Sequence, residues 1–269
     1  MEDVIDVQRF TVKTKDYLYL CVLDGHGGVD AASEAHTLLY EKLLAKISST
    51  TGDINWTILL CTLFEEVNDA LSKKVNAWPQ KPQGYVSASG CTCTVVVIEE
   101  NTSIMHWANV GDSRALLCNN QTCKTSTCDH RVSIREERER LVSLGAECVY
   151  RNGSWWITGP RQPDAPHMSG RYVYLQLSRG LGDFWSYLPH KDVHLVSPTP
   201  SVQHMKFEDQ DTMIVASDGL WDTKSNRDVM KRIVLKNDSG LALSRIVEEI
   251  KMEGNVRDNI SIIVVRKDT

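Results

Sequence analysis

The apolar residues of this chain change their period from one segment to the next. Tyr17 to Leu23 is an unbroken apolar run that stops at Asp24, the pattern of a buried strand. Gly25, Gly27 and Gly28 follow and predict a sharp exit. Ala32, Ala35, Leu39, Leu43 and Ile47 recur at three- and four-residue spacing, which predicts an amphipathic helix. Trp56, Leu60, Leu63, Val67 and Leu71 predict a second helix, closed off by Trp78-Pro79. The chain then becomes β-rich. Thr94 to Ile98 reads as a strand and Ser103 to Val110 as its hairpin partner. Gly111-Asp112-Ser113-Arg114 makes a turn, and Ala115 to Cys118 is expected to continue the same meander. Arg135 to Leu144 predicts a charged surface helix ending at Gly145, and the bland reading of Asp129-His130, taken singly, is a cap for that helix. Further strands are expected at Met213 to Ser217 and Ile260 to Val265, with helices near Asn226–Val234 and Leu241–Met252 between them.

Strands and helices come in blocks rather than in strict alternation. This favours an α+β fold with antiparallel sheets and helix layers over a doubly wound parallel sheet. Neither a repeat nor a linker divides the chain, so residues 1–269 are expected to form a single domain. Residues 151–171 stand apart, rich in glycine and proline, with Arg151, Arg161 and Arg171 against the single Asp164. Such a stretch predicts a loop, and its charge suits a basic flap beside an anionic substrate.

Composition narrows the class. With 42% hydrophobic and 24% charged residues, the chain has enough apolar material for one large core. A net charge of −5 argues against a nucleic-acid partner. Its apolar runs fall short of the ~20 residues of a membrane span, and no signal peptide is visible. The eight cysteines lack metal-ligand spacing. They read as reduced thiols of an intracellular protein, cytoplasmic or nuclear or both.

The chemistry is carried by acids at the edges of strand-like segments. Met1-Glu2-Asp3, Asp24-Gly25-His26-Gly27-Gly28, Ser217-Asp218-Gly219-Leu220-Trp221-Asp222 and Arg257-Asp258-Asn259 each punctuate an apolar stretch. If Glu2, Asp24, Asp218 and Asp258 gather, each adjacent like-charge pair costs roughly 4 kcal/mol at ~4 Å in an effective dielectric near 20. A fold that collects them needs protons or cations. Two divalent ions balance the four charges, and all-oxygen donors suit magnesium or manganese. Gly25 lets its own carbonyl approach an ion. A water bridging two such ions becomes a nucleophile, and His26 is placed to protonate a leaving oxygen. These parts fit metal-assisted hydrolysis of a phosphate ester, although each Asp-Gly taken singly is an ordinary turn.

As an ordered set, these motifs resemble the type 2C metal-dependent protein serine/threonine phosphatases. Met-Glu-Asp, Asp-Gly-His-Gly-Gly, Gly-Asp-Ser-Arg, Asp-His, Ser-Arg-Gly-Leu-Gly-Asp, Ser-Asp-Gly-Leu-Trp-Asp and Arg-Asp-Asn all occur in the family's order. The resemblance implies a four-layer αββα fold, a β-sandwich of two antiparallel sheets flanked by helix pairs. It implies that Glu2, Asp24, Asp218 and Asp258 hold two Mg2+ or Mn2+ ions, Gly25 adding its carbonyl. His26 matches the general acid, with Asp24 and Asp218 at the reacting centre. Asp112, with Asp218 and Asp222, matches a weaker third metal site, and Asp3 and Asn259 match positions behind the ligands. The implied substrates are phosphoserine and phosphothreonine in proteins, cleaved by water without a phosphoenzyme. The expected form is a monomer without membrane or nucleic-acid partners. A reading as an impaired phosphatase that only binds phosphoproteins, and one as a hydrolase of small phosphorylated metabolites, stand beside it.

A narrower resemblance, to the DNA-damage-induced nuclear branch, lies in Leu181 to Tyr187, Val196 to Pro200, Ala77-Trp78-Pro79 and Glu137 to Leu141. The family carries a phosphate-gripping arginine and a strand ahead of Met-Glu-Asp. The domain is therefore expected to lack its first N-terminal strand, leaving a sheet edge unpaired. No residue of the sequence is assigned that arginine's role. Cys91 and Cys93 replace small hydroxyl residues and are expected to pack in the interior.

Overall fold

The computed structural model describes residues 2–79, 87–120, 122–158, 174–234, 239–253 and 258–267. The chain enters through a hairpin of β1 (Val4–Val12) and β2 (Lys15–Leu23), and β3 (Gly25–His26) then leads into α1 (Asp30–Ser49) and α2 (Trp56–Ser72). After β4 (Gly90–Cys91) comes a second hairpin, β5 (Cys93–Glu99) and β6 (Ile104–Val110). Next are β7 (Arg114–Cys118), β8 (Cys123–Ser126), α3 (Arg135–Ser143), β9 (Cys148–Arg151), β10 (Ser154–Thr158) and β11 (Tyr174–Leu175). Short strands β12 (Leu181–Gly182), β13 (Tyr187–Leu188) and β14 (Val193–His194) precede β15 (Ser201–Lys206) and β16 (Thr212–Ala216). The last elements are α4 (Asp218–Trp221), α5 (Asn226–Ile233), α6 (Ser239–Met252) and β17 (Ile262–Arg266).

Two antiparallel sheets form the centre, in the orders β1-β2-β5-β6-β15 and β17-β16-β7-β8. Period-two alternation builds the layers. Leu18, Leu20, Val22, Val96, Ile98, Met105 and Trp107 face Ala115, Leu117, Met213, Val215 and Ile263 between the sheets. The alternate residues Tyr17, Tyr19, Cys21, Leu23, Val95 and Val97 pack outward under α1 and α2. On the far side Leu116, Cys118, Ile214 and Ala216 pack against α4, α5 and α6. The order of layers is therefore αββα. The seven residues Tyr17 to Leu23 read as one apolar run because β2 is buried on both faces.

Both long helices form where the spacing places them, and all five apolar positions noted for each are buried. Asn55 caps α2 by accepting from the Ile58 N–H at 3.1 Å. Glu99 fixes the start of α2 to the sheet by accepting from Trp56 Nε1 at 2.7 Å and lying 2.9 Å from His106 Nε2. Cys91 and Cys93 are fully buried, and all eight cysteines are free thiols. No helix among the described residues is long and apolar enough to cross a membrane.

Two expectations need correction, and one bland alternative fails. Ala115 to Cys118 does not continue the first meander. β7 lies in the second sheet against β16, because Gly111-Asp112-Ser113 carries the chain from one layer to the other. Residues 151–158 are not loop. Asn152 and Gly153, both at positive φ (53° and 84°), turn β9 back onto β10. Asp129 does not cap α3, whose N-terminus has no side-chain cap; it pairs instead with Arg114 through two hydrogen bonds of 2.9 and 2.8 Å. The strand β1 had no counterpart in the apolar pattern. Its exposed alternate positions, which include Ile5 and Val7, give it the mixed character of an edge.

The β9–β10 hairpin packs on α3, with the Arg138 guanidinium 4.4 Å from the Trp155 ring centroid. From the buried face of α3, Glu137 accepts from Arg179 Nε at 3.0 Å and from Arg140 Nη2 at 3.1 Å. Burial alone raises the Glu137 carboxyl, but the bonds and charges of Arg179 and then Arg140 outweigh it and hold the group at about 2. Arg179 opens the segment that runs to Asp183, so this cluster anchors one wall of the site described next. A depressed carboxylate stabilises the fold above its unfolded value and loses that contribution as pH falls. Glu137→Gln is expected to cost about 1.5–3 kcal/mol in urea denaturation at pH 7. The difference from the parent chain should shrink as pH drops from 4.5 toward about 2.

Candidate active site

The acids meet at one end of the sandwich because strands of both sheets end there. The register Val4↔Leu23 sets Asp3 beside Asp24 at the end of the β1–β2 pair. Asp24 is fastened by two hydrogen bonds with Thr92, one from the Asp24 N–H to Oγ1 at 3.2 Å and one from the Thr92 N–H to the Asp24 carbonyl at 2.9 Å. In the other sheet the register Ala216↔Ile262 brings Ser217 and Asp218 beside Ser261 and Asn259. The two sheets are then joined. The Glu2 N–H donates to Asn259 Oδ1 at 3.1 Å, and the buried Asp3 lies beside Ser261, Ser217 and Asp24. Gly25 is required at its position, since a Cβ there would lie 2.6 Å from the Glu2 carbonyl oxygen.

The electrostatics follow from this crowding. Asp24 is pushed up to about 10 by burial and then by the charges of Asp218 and Asp3. Asp218 rises to about 6 by burial and the Asp222 charge, although its hydrogen bond with Asp24 opposes the shift. Crowding thus disfavours the charged form of both carboxyls, that of Asp24 the more strongly. Asp218 Oδ1 and Asp3 Oδ2 are buried without a hydrogen-bond partner. Asp258 is exposed at the rim, close enough for its charge to act on Asp3, Asp24 and Asp218.

Among the described residues no group of three or more His, Cys, Asp or Glu side chains stands arranged to hold a metal ion. The donor set still fits hard divalent ions. It is all oxygen, it is short of positive charge, and it keeps two buried carboxylate oxygens without partners.

Asp112, Asp218 and Asp222 surround a cation that belongs to the chain. Arg131 Nε lies 2.8 Å from Asp112 Oδ2, and Arg131 Nη2 lies 2.6 Å from Asp222 Oδ1 and 3.8 Å from Asp218 Oδ2. Asp112 rises to about 7 through burial, with the Arg131 charge opposing and the other carboxylates adding to the shift. Nothing in the sequence around Asp129-His130 ties Arg131 to Asp112 or Asp222, which lie far from it along the chain or in another turn.

His26 is built on a separate small sheet in which β4 lies between β12 and β3. Its Nε2 lies 2.9 and 3.0 Å from the two oxygens of Asp183, a carboxylate with no exposed surface. Trp185 Nε1 donates to the same Asp183 at 2.8 Å. Burial lowers the His26 pKa, but the Asp183 charge and hydrogen bond prevail and raise it above the ordinary imidazole value. With Nε2 committed to Asp183, Nδ1 is the atom left to exchange a proton. Asp183 is held at φ 50°, a left-handed backbone that costs a non-glycine residue strain. Gly90, opposite His26, makes the pair possible: a Cβ there would lie 2.6 Å from His26 Nε2 and collide with Asp183 Oδ2. Asp183 was legible as the end of Ser-Arg-Gly-Leu-Gly-Asp, but nothing local tied it to His26.

Of the basic residues 151–171, Arg151 is exposed at the tip of the β9–β10 hairpin, and Arg161 and Arg171 lie outside the described residues.

Carboxylates from both sheets and a histidine held by a buried aspartate thus meet at one end of an αββα sandwich. The comparisons give the family. The protein phosphatase 2C model matches residues 5–260, and the chain belongs to that family. It is 28% identical to protein phosphatase 2C 50 of Oryza sativa subsp. japonica, over 91% of this chain and 67% of that protein. It is 27% identical to protein phosphatase 1L of Bos taurus, over 99% of this chain and 68% of that protein. Across these and other relatives it spans 47% to 75% of their length. A solved serine-threonine phosphatase 2C from Toxoplasma gondii shares the fold at a TM-score of 0.72, with 17% identity, 97% of this chain and 93% of that chain covered. A solved C. elegans sex determining protein does so at 0.74, with 21% identity, 98% of this chain and 60% of that chain covered.

Asp183→Asn removes the charge that raises His26. It is expected to lower kcat about 100-fold, the scale of a lost general acid, and to move the alkaline limb of the pH–rate profile to lower pH. Gly90→Ala should give the same two changes by forcing the pair apart.

Proposed function

We propose that this chain is a magnesium- or manganese-dependent protein serine/threonine phosphatase that hydrolyses phosphoserine and phosphothreonine. The observation that carries the reading is the gathering of Asp3, Asp24, Asp218 and Asp258 beside the His26–Asp183 pair, at the point where both sheets end. Glu2, Asp24, Asp218 and Asp258 would hold two ions, with the Gly25 carbonyl, while Asp3 and Asn259 steady the ligands from behind. When bound, the ions supply Lewis-acid polarisation of the phosphoryl oxygens and lower the pKa of water to near 7.

The protein's own groups do the rest. Water attacks phosphorus, the ester P–O bond breaks, and the seryl or threonyl oxygen leaves with a proton from His26 Nδ1. Asp183 orients the imidazole and keeps it charged until that transfer. No side-chain nucleophile is used, so no phosphoenzyme forms. Arg151, Arg161 and Arg171 are proposed to bias substrate choice toward acidic phosphopeptides. The finer proposal, membership of the DNA-damage-induced nuclear branch, rests on the segments Leu181 to Tyr187 and Val196 to Pro200.

The test is phosphate release from a phosphothreonine peptide with manganese present. Asp218→Asn is expected to reduce turnover by at least about 100-fold, and full activity in that variant, or robust turnover after chelation of metal, would overturn the reading. Replacing Arg151, Arg161 and Arg171 together should raise KM for an acidic phosphopeptide and leave hydrolysis of a small aryl phosphate unaltered.

A further inference from the structure

The third-metal reading of Asp112, Asp218 and Asp222 does not agree with what the side chains do. Those acids already have a cation among them. The Arg131 guanidinium meets Asp112 at 2.8 Å, Asp222 at 2.6 Å and Asp218 at 3.8 Å. Its place is set by the backbone as well as by attraction. Arg131 forms an isolated antiparallel bridge with Leu177. On either side, the His130 N–H donates to the Gly111 carbonyl at 2.9 Å and the Val132 N–H to the Gln176 carbonyl at 2.7 Å. The first of these bonds reaches the turn that carries Asp112, so acid and guanidinium are registered by main-chain bonds to each other. Arg131 is itself three-quarters covered, with 23% of its side chain exposed. Burial works against its charge, but Asp112 and then Asp222 outweigh that and raise its pKa above the ordinary arginine value.

We infer that Arg131 is a built-in cation that takes the place of the third metal, so that this chain is a two-metal enzyme with a fixed guanidinium on Asp112 and Asp222. The inference rests on the phosphatase reading for the other two ions. A divalent ion at the third position would have to displace a side chain held on both sides or sit against its positive charge. The guanidinium is planar and remains charged at any working pH, which lets it span two carboxylates at once. Unlike a weakly held ion, it does not come and go with metal concentration. Arg131 in this role is a positioning residue, holding Asp112 and Asp222 in fixed geometry beside Asp218.

The test is calorimetric titration of the chelator-treated full chain with Mn2+, read as ions bound per chain. The parent chain is expected to bind two. Arg131→Ala should free the acids and bind a third ion, raising the count from two per chain to three. Arg131→Gln, closer in volume, serves where the alanine variant does not fold, and Arg131→Lys should stay at two. In the parent background Asp112→Asn should leave the Mn2+ isotherm unchanged, which needs no change at Arg131. Three ions on the parent chain, a folded Arg131→Ala that still binds two, or loss of an ion in Asp112→Asn would each overturn the inference and leave the phosphatase reading standing. No Mn2+ uptake by the parent chain would overturn both.

Discussion

Carboxylates packed within hydrogen-bond reach of one another cannot all be ionised unless positive charge stands beside them, and the working end of this protein is organised around that constraint. The molecule meets it in three ways. The Asp24 and Asp218 carboxyls are both pushed up, toward their neutral forms. Asp112 and Asp222 are bridged by Arg131. Asp183 is matched to His26. The deficit left over, at Asp3 and Asp218, is where buried carboxylate oxygens lack partners.

The scaffold makes this crowding tolerable. A sandwich whose strands are buried on one or both faces fixes the position of every strand end, because a one-residue slip would turn an apolar face toward solvent. β2 is the strictest case, since both of its faces are apolar and covered. Asp24 therefore cannot drift away from Asp218, although the two belong to different sheets. The helix pairs close the outer faces, and the Glu137–Arg179 cluster extends the same rigidity to the segment that carries Asp183.

Close approach without side chains supplies the rest of the precision. Gly25 admits the Glu2 carbonyl, and Gly90 admits the His26–Asp183 pair. Both are places where a methyl group would disrupt the site without touching the core. The left-handed backbone at Asp183 belongs with them, as a local cost accepted so that a carboxylate can stand behind the imidazole.

The amino-acid order alone determined the helices α1 and α2 and six of the nine strands of the two central sheets, because periodicity and turn chemistry are local properties. It missed β1, whose face is half exposed, and it joined β7 to the wrong sheet, since a turn does not say which layer the next strand enters. It placed loop where Asn152-Gly153 makes a hairpin. It named His26 but not Asp183, which is 157 residues away, and it named Asp112 and Asp222 but not the arginine between them. Glu2 and Asn259 are 257 residues apart and meet directly. Which residue stands next to which is decided by strand register and layer stacking. These depend on the burial of whole faces and leave no mark on any short stretch of chain.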